Sequence, residues 1–243
     1  MAATDPHTLR RTRIKICGMT RADDVAAAVA AGADALGFVF YEKSPRFVTA
    51  QTTAALMTAI PPFVATVGLF VNASPVQVAA VIAVAPVSVL QFHGDETPEQ
   101  CAAAATLVNR PFMVAVRVRP AMTADDLLKY ELRCRAAGNL FAGLLLDAFV
   151  DGYGGGGKVF DWSVIPEELA PRVVLSGGLH VQNATDAVLR VRPHAVDVSS
   201  GVESIDRNAR RPGIKDAARI AAFVAAVRLG DTMAAGRRNG DRA

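Results

Sequence analysis

The chain has 243 residues, a net charge of +3 and 51% hydrophobic residues, which suits one large α/β domain or two small ones. Charged residues make up 20%, and no window nears the roughly 18 consecutive apolar residues of a membrane span, so a membrane protein is not expected. Residues 1–12 lack the apolar stretch of a signal peptide, and the widely spaced Cys17, Cys101 and Cys134 fit neither a zinc motif nor a disulfide framework, which points to the cytoplasm.

The strand-like runs, in chain order, are Ile14–Gly18, Ala35–Phe40, Val64–Val71, Val87–Phe92, Phe112–Val118, Phe141–Asp147, Val173–Gly177 and Ala195–Ser199. Most are rich in Val, Ile, Leu or Phe, as suits parallel strands buried on both faces. Helical segments alternate with them. Thr20 is the expected N-cap of a helix over Asp23–Ala31 that Gly32 closes. Ser74-Pro75 and Thr97-Pro98 open the helices after the third and fourth runs, with Pro at the tolerated first position. Thr123 precedes a helix over Ala124–Ala137, and a last helix is expected from about Ile214 to Val227.

Eight such alternations predict a single-domain α/β protein, a (β/α)8 TIM barrel, whose closure removes both sheet edges. The expected organisation is a disordered leader over residues 1–12, the barrel over 13–229 and a disordered tail over 230–243. A doubly wound dinucleotide fold is the rival, but the first βα turn reads Cys17-Gly18-Met19-Thr20 and not GxGxxG. Arginines gather in both tails, yet no aromatic-basic motif accompanies them, so no nucleic-acid partner is expected.

In this architecture chemistry sits where strands end and βα loops begin. Ser176-Gly177-Gly178-Leu179 and Ser199-Ser200-Gly201-Val202-Glu203 fall after strands seven and eight, where such barrels bind phosphate. Glycines there let backbone N–H groups approach an anion. A third glycine-rich stretch, Gly152 to Lys158 with Gly154, Gly155 and Gly156 at its heart, lacks the GK[ST] ending of an ATP loop; it reads as a flexible loop or a second phosphate cradle.

Cys17 shares a strand face with Lys15 by the period of two. It is either a silent core thiol or a general base favoured by a nearby cation. Asp147 follows an apolar run, where an unpaired carboxylate is costly. It reads as a general acid kept protonated by apolar surroundings, or as a loop or capping residue. Arg46, in Ser44-Pro45-Arg46, is able to grip a substrate carboxylate through two hydrogen bonds, or is simply solvated. His93 is read chiefly as a hydrogen-bonded structural group.

These segments, in this order, resemble the phosphoribosylanthranilate isomerase family. The matching stretches include Lys15–Thr20, Gly37–Phe40 with Ser44–Arg46, Val67–Asn72, Leu90–Gly94, Leu145–Asp147, Gly154–Trp162, Leu175–Leu179 and Val196–Glu203, within residues 13 to 228. The resemblance implies an Amadori rearrangement of N-(5-phosphoribosyl)anthranilate in tryptophan biosynthesis, without cofactor or metal. It implies Asp147 as general acid, Cys17 as general base and Arg46 on the anthranilate carboxylate. It places the phosphate on amides around Gly177, Gly178, Ser200 and Gly201, with the glycine-rich loop. The chain departs from the family at Gly156 and Val159, and Ser204–Arg211 is long and basic. The histidine-pathway isomerase, with paired aspartates, indole-glycerol-phosphate synthase, with a catalytic lysine system, and a noncatalytic phosphate-binding barrel are the rivals. A monomer or homodimer is expected.

Overall fold

The computed structural model describes residues 11–149, 159–207 and 209–240, with side chains to residue 236. Eight parallel strands close into a barrel in chain order. They are β1 (Arg13–Cys17), β2 (Ala35–Val39), β3 (Ala65–Phe70), β4 (Val89–Phe92), β5 (Phe112–Val118), β6 (Phe141–Ala148), β7 (Val174–Leu175) and β8 (Ala195–Val198). Pairing of β1 with β8, Ile14 opposite Val196, completes the closure. The helices are α1 (Ala22–Ala31), α2 (Ala50–Met57), α3 (Pro75–Val84), α4 (Pro98–Val108), α5 (Ala124–Ala137), α6 (Val181–Val191) and α7 (Ala217–Gly240). The TIM barrel expected from the alternating runs is the observed fold. Among the described residues no helix is long and apolar enough to cross a membrane.

The caps follow the local chemistry. Ser74, Thr97 and Thr123 each accept from a backbone N–H in the first turn, and Gln77, Gln100 and Asp126 reach back to complete capping boxes. Thr20 does not cap α1. Arg21 occupies that position without a side-chain cap, because the Thr20 hydroxyl donates instead to Gly213 O across the barrel mouth. Gly32 ends α1 at φ 88°, in the left-handed region.

Three further differences from expectation bear on the site. The crossover from β6 to β7 has, among its described residues, only short 3-10 turns at Trp162–Val164 and Ala170–Arg172; Pro166 and Pro171 discourage a longer helix there. Residues 203–215 form an antiparallel hairpin, β9 (Glu203–Asp206) with β10 (Ala209–Lys215), so Ile214 lies in a strand and the last helix begins only at Ala217. That helix runs on to Gly240, through the expected disordered tail. The helix is tied to the residue before β1: Asp231 accepts from the Thr12 N–H at 3.1 Å and its hydroxyl at 2.7 Å, and Arg228 donates to Thr12 O at 2.6 Å.

The two strand faces serve different purposes. Ile14, Ile16, Leu36, Phe38, Phe70, Phe92, Leu146 and Val196 point outward and join the helices in the main core. Ala115, Leu145, Val174 and Ala195, with Met113, form a small separate cluster and fill the barrel interior. Two residues further along three of those strands the inward face turns polar, at Arg117, Asp147 and Asp197. An apolar floor thus lies beneath a polar layer.

Candidate active site

Cys17 ends β1 with its side chain turned from the main core, and only 5% of it is exposed. Gly37 makes room for it: the two residues are register partners on β1 and β2, and a Cβ at Gly37 would fall 2.8 Å from the sulfur. Beneath it, Lys15 donates to Asp197 at 2.7 Å, and both side chains are buried. Ser176, just past β7, donates to the other Asp197 oxygen at 3.1 Å.

Lys15 is the cation anticipated beside Cys17, but it does not win. Burial pushes the thiol above its ordinary pKa; Lys15 and Lys215 pull down, and Asp197 adds to the rise. Burial also opposes the charge on Lys15, yet the Asp197 carboxylate outweighs it and holds the ammonium above its usual range. The resting residue is therefore a thiol beside a permanent cation.

Asp147 stands near the end of β6 with 14% of its side chain exposed. Its surroundings are not the apolar pocket expected from the preceding leucines. His93 Nε2 lies 3.0 Å from Asp147 Oδ2, and His93 Nδ1 lies 2.9 Å from the amide nitrogen of the fully buried Gln91. The imidazole thus bridges the Gln91 amide and the Asp147 carboxyl. Oδ1 stays beside Gly177, where a Cβ would fall 2.8 Å away. Gly177 thus ties the carboxylate of β6 to the turn after β7, and Ser176 in that turn reaches Asp197. Two polar groups thus face the barrel mouth: Lys15, Asp197 and Ser176 beside Cys17, and Asp147, His93 and Gln91 across from them.

The two glycine loops meet. Gly177 and Gly178 take φ values of 80° and 64°, which favour glycine. Asn183 in α6 holds the turn by donating to Gly178 O at 3.1 Å. Ser200–Val202 is a short 3-10 turn, and a Cβ at Gly201 would strike Leu179 O at 2.0 Å. Only glycine permits that approach. Among the described residues, no acceptor is bonded to the backbone N–H of Gly177 or Gly178. Gly154, Gly155 and Gly156, the third glycine stretch, lie outside the described residues.

Arg46 reaches the same mouth from the loop after β2. Its Cδ packs over Gly18, directly after Cys17. Its guanidinium is not solvated: Nε donates to Glu203 Oε1 at 2.7 Å and Nη2 to Oε2 at 2.9 Å. The single-residue reading of Arg46 missed this partner, 157 positions along the chain. Asp197 was legible as a charge inside an apolar strand on the inward face; Lys215 left no signal, since the expected helix placed it in a solvated first turn. Among the described residues no three His, Cys, Asp or Glu side chains gather as a metal site would require.

The family model for N-(5'phosphoribosyl)anthranilate (PRA) isomerase matches residues 14–226. The chain is 63% identical to the N-(5'-phosphoribosyl)anthranilate isomerase of Herminiimonas arsenicoxydans, over 92% of this chain and 96% of that one. It is 56% identical to the enzyme of the same name from Methylibium petroleiphilum, over 93% and 98%. Phosphoribosyl anthranilate isomerase from Thermotoga maritima superposes with a TM-score of 0.75 at 38% identity, over 89% of this chain and 98% of that one. A second solved isomerase, in complex with reduced 1-(o-carboxyphenylamino)-1-deoxyribulose 5-phosphate, superposes at 0.70 with 34% identity over the same shares. The chain belongs to the N-(5'-phosphoribosyl)anthranilate isomerase family.

Proposed function

We propose that this isomerase of tryptophan biosynthesis converts N-(5'-phosphoribosyl)anthranilate to 1-(o-carboxyphenylamino)-1-deoxyribulose 5-phosphate, with Asp147 as general acid and Cys17 as general base. The observation that carries the proposal is the pair of groups at the strand ends of the barrel mouth, a thiol beside a lysine on β1 and a carboxyl bonded to a histidine on β6. Asp147 gives its proton to the furanose ring oxygen, and the ring opens to a Schiff base. Cys17 as thiolate takes the proton from C2′, and the resulting enolamine tautomerises to the ketone. A raised thiol pKa makes the thiolate a minority form at neutral pH, but a stronger base toward a C–H bond once it forms. Lys15 is the neighbour that stabilises it.

The remaining groups serve orientation. The amides of Gly177 and Gly178 and the turn at Ser200-Gly201 bind the phosphate. Arg46 takes the anthranilate carboxylate. A substrate anchored at both anionic ends presents its sugar carbons between the acid and the base. The relative solved with a reduced form of the product supports this assignment, since its ligand carries both a carboxyphenyl group and a phosphate.

The test is the loss of substrate fluorescence with purified protein. Cys17→Ser and Asp147→Asn are each expected to lower kcat by about 10²–10⁴-fold, the range of a lost acid or base, with an unchanged melting transition. Full activity in either variant removes that residue from the mechanism. Tight binding of substrate by the wild type without consumption favours a noncatalytic barrel.

A further inference from the structure

Glu203 is wholly buried, and the acid–base steps above do not use it. Its carboxylate accepts from Arg46 Nε and Nη2, from Gly213 N at 2.9 Å and from Lys215 Nζ at 3.4 Å. Lys215 in turn donates to Ser199 O at 3.0 Å and Oγ at 3.3 Å, at the end of β8. Its backbone N–H is taken by Asp24 of α1 at 3.0 Å. Burial works against the carboxylate, but the Arg46 hydrogen bonds, Lys215 and the Gly213 amide hold its pKa below the usual range. Burial pushes Lys215 down to about 8, against the pull of Glu203.

Such a cluster is weak evidence for stability, because removing ions from water offsets much of their attraction. Its geometry does something else. Glu203 occupies the Nε/Nη2 side of the Arg46 fork, and a guanidinium offers five N–H donors in one plane. The opposite edge, made by Nη1 and Nη2, remains for a second carboxylate in the parallel two-bond arrangement. The base of the β9–β10 hairpin supplies the rigidity: Gly213 packs on Pro45 O in the Arg46 loop, and Thr20 donates to Gly213 O.

We propose that Glu203 is a positioning residue: it holds Arg46 by one edge so that the other edge receives the anthranilate carboxylate. The proposal rests on the assignment of Arg46 made above. It makes the hairpin of residues 203–215 part of the specificity apparatus and not a surface insertion.

The experiment measures Kd for two stable ligands, reduced 1-(o-carboxyphenylamino)-1-deoxyribulose 5-phosphate and its phenylamino counterpart without the carboxylate. Arg46→Met, Glu203→Gln and the double variant Glu203→Gln/Lys215→Met are compared with wild type, each checked by its melting transition. The double variant removes the lysine charge that the single change leaves unpaired, so a folded protein is available if Glu203→Gln alone is too unstable. Glu203→Gln, or the double variant in its place, is expected to weaken the carboxylated ligand roughly 10- to 100-fold, as for a misplaced charge-assisted pair. The carboxylate-free ligand is expected to change by less than about 3-fold, within the scatter of a neutral change. Equal losses for both ligands, or no loss for either, overturn the proposal if Arg46→Met still loses the carboxylated ligand selectively. An Arg46→Met variant with no such selectivity overturns the Arg46 assignment instead.

Discussion

The two sides of the barrel mouth are built in opposite ways. On the β1–β8 side, Cys17, Lys15 and Asp197 are almost wholly buried, and a lysine–aspartate pair lies against the thiol. On the β4–β6 side, Asp147 and His93 keep 14% and 10% of their side chains exposed and meet in a single hydrogen bond. A dry, ion-paired setting suits a base: water is excluded, and a thiolate there is more basic than in solution. A partly wet carboxyl suits an acid that must recover its proton in every cycle. One fold thus supplies two different media a few strands apart.

The harshest way to break this contrast is to remove the buried cation. Lys15→Met leaves Asp197, among the described residues, with its Ser176 hydrogen bond and takes from Cys17 its nearest cation. Breaking one partner of such a pair typically costs about 3–5 kcal/mol, so a large fall in the denaturation midpoint is expected, together with a fall in kcat beyond that of His93→Asn. An unchanged midpoint and rate would show that the pair is incidental to the base.

A gentler probe uses pH. The thiolate grows only as pH rises through the raised Cys17 pKa, so kcat/KM is expected to climb beyond the ordinary thiol range of about 8.5. Lys215 loses its charge near 8 and withdraws part of its help over the same interval. Stability runs the other way. Above the ordinary thiol pKa the folded chain keeps a proton that the unfolded chain has lost, so stability declines as pH rises, and Cys17→Ser abolishes that component. A rate profile that levels off at or below the ordinary thiol value contradicts a buried base.

The smallest effect is expected on the wetter side. His93→Asn frees Asp147 Oδ2 and should lower kcat by roughly 10-fold, about 1.4 kcal/mol, with KM and melting temperature little changed. A loss as large as that of Asp147→Asn would make His93 an equal partner in the chemistry, and no loss would return it to a packing role.

How much of the site was legible follows from the range of each signal. Period-two alternation placed Lys15 and Cys17 on one face and Ile14 and Ile16 on the other, and Ile14 and Ile16 join the main core while Cys17 does not. Glycines after β7 and β8 marked the two turns that meet at Leu179 and Gly201. The apolar run before Asp147 suggested the wrong environment, because Leu144 and Leu146 face the helices while Asp147 shares the interior with His93. His93 was undervalued since nothing local shows that β4 and β6 point these two side chains at each other. Thr20 was read as a helix cap because its competing acceptor, Gly213 O, lies 193 positions away.

From the order of residues alone came the eight-fold alternation, the caps at Ser74, Thr97 and Thr123, and the shared strand face of Lys15 and Cys17. These depend on backbone dihedrals and side-chain periods that act within a few residues. Folding in three dimensions decided which charges meet: Lys15 with Asp197, Asp147 with His93, Arg46 with Glu203, and Thr12 with Asp231. Such pairs join groups far apart along the chain, and a buried charge is tolerable only where the closed barrel delivers a counter-charge within hydrogen-bonding distance.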